Sequence, residues 1–203
     1  MTSAGVLESA GLGEVLASLL LERDGKVLFE GRTVARPDQL VIGAISPDPT
    51  SAPMVYEIDA PPVPRCGVPV SGFGGDAVGR TLVERYFEHL ESGQAEQAAA
   101  CFSPDVVYSI PPRAGETRRG LVVGRESLVA SFRARGVNAA RHHASRVAGD
   151  GAGRFLVEGL VSGLGPRDTP FMSSVWVDVH GLICRYIALL KLPLPVVADG
   201  KTS

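Results

Sequence analysis

Thr81-Leu82-Val83-Glu84-Arg85-Tyr86-Phe87-Glu88-His89-Leu90 decides how this chain is read. Leu82, Val83, Tyr86 and Leu90 fall on one stripe at helical spacing. A helix with one apolar face must bury it against another layer, and the residues that follow say which. A second, alanine-rich helix is expected over Gln94 to Cys101, and Ser92-Gly93 separates the two. Ser103-Pro104-Asp105 reads as a turn, and Val106 to Ile110 as a short strand halted by Pro111-Pro112. Gly124-Arg125-Glu126-Ser127 opens a third helix, with Leu128, Val129 and Phe132 on its apolar face. Four longer strands follow, near 138–148, 153–163, 170–179 and 182–192, with Asp150-Gly151 and His180-Gly181 at tight connections. Helices laid on one face of a curved antiparallel sheet make a cone, and a cone has an interior that can hold a ligand.

Working backwards, Ser71-Gly72-Phe73-Gly74-Gly75 reads as a flexible junction, and Asp76 as the start of the first helix. The boundary therefore falls near residue 76, giving a segment 1–75, a domain 76–195 and a tail 196–203. The first segment differs in character. Leu12 to Leu21 reads as a short helix or as part of a strand. Two apolar runs, Leu19–Leu21 and Val27–Phe29, flank Asp24-Gly25, which is hairpin chemistry. Further strands are expected at Gln39–Ile45 and Met54–Ile58, and the clustered prolines around them favour extended backbone over helix. This β-rich extension is an extra layer, a lid or a dimer arm.

Bulk properties exclude several classes. The chain has 203 residues, of which 45% are hydrophobic, enough for a sizeable core. A net charge of -2, from 20 basic and 22 acidic side chains, provides no broad basic field for nucleic acid and no polybasic run for a membrane surface. The longest apolar runs fall far short of the roughly 20 residues that span a bilayer. The start, Met1-Thr2-Ser3-Ala4-Gly5, lacks the pattern of a secretory signal. Three widely spaced cysteines, Cys66, Cys101 and Cys184, suggest reduced, buried thiols and a cytoplasmic setting.

The element order αα-β-α-ββββ over about 78–192 resembles the SnoaL-like branch of the NTF2-like superfamily, an α+β cone. Three local patterns carry the resemblance. Arg85 to Gln94 looks like the first helix and its glycine stop. Phe102-Ser103-Pro104-Asp105-Val106-Val107-Tyr108 is similar to the lead-in of the first strand, and Gly124-Arg125-Glu126-Ser127-Leu128 to the start of the third helix. The superfamily holds ketosteroid isomerases, polyketide cyclases, scytalone dehydratases and many non-enzymes, so the fold leaves function open.

The resemblance points to particular residues. Tyr86 aligns with the helix-1 tyrosine that donates to the oxyanion in ketosteroid isomerases; the alternative is a core aromatic. The general-base aspartate of those enzymes falls near Ile110 and their oxyanion-hole aspartic acid near Ser173, so neither acid is present here. Ala140-Arg141-His142-His143 resembles the strand that carries the catalytic histidine of scytalone dehydratases. Adjacent strand residues face opposite ways, so only one histidine enters the cone, and His142 is chosen. The same alternation makes the pair a poor metal site. Tyr108, Ile110, Phe155, Ser173 and Arg113 are expected to bind substrate. Glu158 is a candidate base with a raised pKa if it faces inward, but alternation with Phe155 and Val157 favours the outward face, and Trp176 packs in the sheet.

Gly72-Phe73-Gly74-Gly75-Asp76-Ala77 matches a dinucleotide fingerprint, but that motif needs a preceding buried strand and a βαβ crossover, which the surrounding prolines and paired helices deny. The expectation is a cofactor-independent and metal-free cyclase, isomerase or dehydratase. It would act by acid/base chemistry on a polyketide-like or steroid-like molecule, with His142 and Tyr86 catalytic. The alternative is a non-catalytic module of the same fold. The apolar run Val175-Trp176-Val177 implies a layer over the convex sheet face, from residues 1–75 or from a second subunit, and a homodimer is favoured.

Overall fold

A computed structural model describes residues 15–34, 36–46, 48, 54–62, 75–111 and 119–190. Two sheets stack, and helices close the far face of the larger one. The smaller sheet is a meander of β1 (Val15–Arg23), β2 (Lys26–Thr33), β3 (Gln39–Ile45) and β4 (Met54–Asp59), in that order. Its first hairpin turns on Asp24 (φ 49°) and Gly25 (φ 71°), with Arg23 paired to Lys26. Positive φ at both turn residues is the geometry that Asp-Gly tolerates and that matches strand twist. The segment left open as helix or strand is strand from Val15 onward.

Helix α1 (Asp76–Glu91), helix α2 (Ala95–Ala100), β5 (Phe102–Ile110), β6 (Gly120–Val123) and helix α3 (Arg125–Arg135) follow. The last strands are β7 (Arg141–Gly149), β8 (Arg154–Ser162), β9 (Thr169–Val177) and β10 (Ile183–Leu190). The larger sheet runs β6-β5-β10-β9-β8-β7, antiparallel except for the parallel β5/β10 pair. One expectation needs correction here. Ser103-Pro104-Asp105 lies inside β5 rather than in a turn. The β5/β10 register shifts between Ile183 and Arg185, and such an irregularity tolerates a proline that cannot donate to the ladder. The short strand β6 was not anticipated, and it extends the sheet edge beyond β5.

Strand alternation sorts side chains into two cores. Val83, Tyr86, Phe87 and Leu90 of α1 pack with Phe171, Val175 and Tyr186 on the concave face. On the convex face Leu156, Met172, Ile187 and Leu189 pack with Leu28, Leu40, Ile42 and Ile58 of the smaller sheet. The layer expected over the convex face is thus supplied by the chain's own N-terminal strands. Polar groups join the same two sheets: Arg185 donates to Glu30 at 2.9 Å, Ser174 Oγ donates to Glu30, and the Arg185 guanidinium lies 4.3 Å over the Trp176 ring. Glu158 lies on this side, bonded to Lys26 and Arg146.

Cys184 is disulfide-bonded, whereas Cys101 is free and buried. The expectation of three reduced thiols therefore fails at Cys184, and with it goes the ground for a reducing compartment. Spacing along the chain does not reveal a bridge, because what a bridge requires is proximity in space. Among the described residues no helix is long and apolar enough to cross a membrane.

Candidate functional site

The concave face holds a half-open cavity of about 420 Å³ between α1, α3 and the sheet. Its walls are mainly apolar and aromatic, with Phe87, Phe132, Val161 and Phe171 among them. Arg135 and Asn138 follow from the end of α3, and with the exposed Leu164 they stand at its rim.

Two polar groups of residues face this space. The first is a chain of hydroxyls. Tyr86 on α1 and Tyr108 on β5 share a hydrogen bond of 2.7 Å between their phenol oxygens. Tyr108 stacks on Tyr186 of β10 with ring centroids 5.1 Å apart. Ser173 Oγ donates to the Tyr186 hydroxyl at 2.8 Å. Burial pushes the Tyr86, Tyr108 and Tyr186 phenols above their ordinary range, so all three remain neutral donors at neutral pH. The positive charge of Arg135 opposes that rise in each case.

The second is His142, which lines the cavity and is backed by Glu91 from outside the lining. Glu91 ends α1 and His142 sits second in β7. Glu91 Oε1 lies 2.9 Å from His142 Nδ1, and it also accepts the His142 backbone N–H at 2.5 Å. The carboxylate accepts, so Nδ1 carries the ring proton and Nε2 keeps its lone pair. Phe87 stacks on the imidazole, centroids 4.5 Å apart and planes 17° apart, which fixes the ring's tilt. Burial holds the imidazole below its ordinary pKa; the hydrogen bond that His142 donates to Glu91 pulls the other way, and Arg135 adds to the lowering. His142 is therefore a neutral base at neutral pH. Its neighbour His143 is exposed, as alternation along the strand requires.

The cavity brings together Tyr86, His142, Tyr108, Ile110 and Ser173. It does not include Phe155. That ring lies on the concave face but under the start of α1, against Gly79 and Gly149. Its face follows from parity; its depth does not, since Val161, six residues on, is the β8 residue that lines the cavity. Arg113 lies outside the described residues. Sequence reasoning missed Glu91, Tyr186 and Arg135. Tyr186 had a usable signal, because it shares parity with Ala188 and Leu190, which also line the cavity. Among the described residues no group of three or more His, Cys, Asp or Glu side chains gathers as a metal site would.

A cone of this kind, with α-helices closing a curved sheet over an aromatic cavity, is an α+β fold built around an interior site. The sequence profile of the SnoaL-like domain matches residues 83–186, and the chain belongs to that family. Among solved structures, a Kribbella flavida protein provisionally named a ketosteroid isomerase is 20% identical, with a TM-score of 0.46, covering 59% of this chain and 82% of that one. A Methylobium petroleophilum protein of unknown function with a cystatin-like fold is 17% identical, with a TM-score of 0.48, covering 63% and 83%. An NTF2-like protein of unknown function from Burkholderia xenovorans is 15% identical, with a TM-score of 0.46, covering 58% and 86%. No curated protein matches the chain.

Proposed function

We propose that the cone binds an apolar, oxygenated small molecule and carries out cofactor-independent acid/base chemistry on it. The observation that carries this reading is a neutral His142, backed by Glu91, lining the same cavity as the Tyr86–Tyr108 hydroxyl pair. His142 Nε2 takes a proton from carbon next to a substrate carbonyl. The electron pair moves onto the carbonyl oxygen, which accepts a hydrogen bond from a phenol of the pair. Glu91 stabilises the imidazolium that forms, as a carboxylate behind a histidine base does. The enolate then has three outcomes. It takes the proton back at another carbon (isomerisation), attacks a second carbonyl (cyclisation), or expels a β-hydroxyl that leaves as water with the proton from His142 (dehydration). A polyketide-like or steroid-like skeleton suits the walls, and about 420 Å³ lies in the ordinary range of small-molecule sites.

A second reading, a non-catalytic ligand-binding module, draws on one observation. Ile110 and Ser173 occupy positions where the resemblance to ketosteroid isomerases puts acids, and among the described lining residues there is no Asp or Glu. The test is native mass spectrometry against a library of polyketide-like and steroid-like ketones, followed by turnover of each binder. Conversion by the wild type that His142→Ala lowers roughly 10²-fold is expected. Binding with unchanged ligand and no dependence on His142 would favour the module.

A further inference from the structure

A second cavity, of about 660 Å³, lies where the edges of the two sheets meet. Strand β4 is the edge of the smaller sheet and β6 the edge of the larger. Ile58, Pro61, Pro62, Leu121 and Leu190 give it apolar wall. Arg119, directly before β6, gives it a cation. That guanidinium donates through Nε to Ser109 Oγ at 3.0 Å, and through Nη2 to the carbonyls of Ser109 and Ala188. None of these acceptors is charged, and Nη1 makes none of the bonds. Burial pulls the Arg119 pKa down to about 10, so it is still a cation at neutral pH. A partly buried guanidinium facing only neutral acceptors is an incomplete anion site.

Two other lining residues carry buried polar atoms without a hydrogen-bond partner among the described residues, Gln39 Oε1 and Tyr56 Oη. Buried polar groups are rarely left unpaired, and each such exception asks for an explanation. The acidic lining residues sit apart from Arg119 in role. Glu57 is engaged by Arg36, and Glu57 and Asp59 alternate to the exposed face of β4 while Tyr56 and Ile58 turn inward. Their negative charge at the rim disfavours multiply charged anions.

We propose that this inter-sheet cavity is a second ligand site, for an amphipathic monocarboxylate whose carboxylate pairs with Arg119 and whose apolar body lies between β4 and β6. It is separate from the cone cavity but touches it, since Pro111 and Leu190 line both.

The test uses the full chain with 4-phenylbutyrate and its primary amide as probes, read by isothermal titration calorimetry. The acid should bind at least about ten-fold tighter than the amide, as a charge-assisted bond implies. Arg119→Gln should erase that preference, and Arg119→Lys should keep part of it. Tyr56→Phe removes an unpartnered hydroxyl, so it should weaken the acid about three-fold without lowering the melting temperature. His142→Ala and Tyr108→Phe, which alter the cone, should leave acid binding unchanged. Phosphate should not compete. Equal affinity for acid and amide, no binding at millimolar probe, or loss in the cone variants with retention in Arg119→Gln would each overturn the proposal. Should Arg119→Gln fail to fold, Tyr56→Phe and the cone variants still decide it.

Discussion

Glu91 Oε1 receives both the backbone N–H and the ring Nδ1 of His142, at 2.5 and 2.9 Å. One carboxylate therefore ties the last residue of α1 to the start of β7 and sets the tautomer of the imidazole. The strand is anchored and the base is oriented by the same contact.

From this contact follows a pH profile. If His142 works as a base, the rate rises with pH through its pKa, and burial places that limb below about 6.5. His142→Ala should lower turnover roughly 10²-fold with the fold intact. Glu91→Gln removes the group that raises the imidazole pKa, so the limb should move to lower pH and kcat should fall. A pH–rate series on the three proteins, with circular dichroism as control, checks this; an unmoved limb in Glu91→Gln would show that Glu91 does not act through His142.

The same depressed pKa bears on stability. A histidine whose folded pKa lies below its unfolded value holds fewer protons when folded, so protonation favours the unfolded chain. The contribution is full above about 6.5 and is lost as pH falls from there to the folded value. Urea midpoints measured between pH 7 and 5 should fall for the wild type and fall less for His142→Gln, which cannot titrate.

Tyr86→Phe should cost on the order of 10²-fold in turnover, the effect of losing one oxyanion donor. The ring remains, packed edge-on to Phe102 with centroids 4.9 Å apart, so the melting temperature should shift little. An unchanged rate would point to Tyr108 alone as donor.

Much of this was legible in the chain. The Leu82/Val83/Tyr86/Leu90 stripe placed Tyr86 on the inner wall, and strand parity required that only one of His142 and His143 face the cone without saying which. Asp24-Gly25 announced its hairpin because two positive φ angles leave few residue choices. What stayed hidden depends on tertiary distance. Glu91 and His142 are 51 residues apart, and no local pattern links them. Phe155 shares a face with Val161 but sits about 20 Å along the strand at roughly 3.3 Å per residue, so parity could not tell wall from floor. Glu30 meets Arg185 across two sheets whose stacking the sequence left as one of several options.

That stacking makes its own prediction. Deleting residues 1–62 would uncover Leu156, Met172, Ile187 and Leu189 and leave Arg185 without its carboxylate. The truncated chain should self-associate or precipitate in sedimentation experiments. In the full chain Glu30→Ala should destabilise by about 3 kcal/mol, since it strands a buried guanidinium. A soluble, monomeric truncation with an intact cone would mean the smaller sheet is dispensable cover.

Gly79 shows how tightly α1 sits on the sheet. A Cβ there would fall 2.4 Å from the Phe155 ring. In an exposed helix interior Gly→Ala gains about 1 kcal/mol. Here over-packing of about 1–3 kcal/mol opposes it. The sum predicts that Gly79→Ala is destabilising or at best neutral, against the helix scale. Phe155→Leu in the Gly79→Ala background should recover stability, because the smaller side chain makes room, and the coupling should appear as non-additivity in a double-mutant cycle. Phe155 does not line the cone cavity, so neither change should alter ligand affinity there. Denaturant unfolding of the four proteins, with cone-ligand titrations beside it, separates the packing role from a binding role: a loss of affinity in Phe155→Leu would return Phe155 to the site.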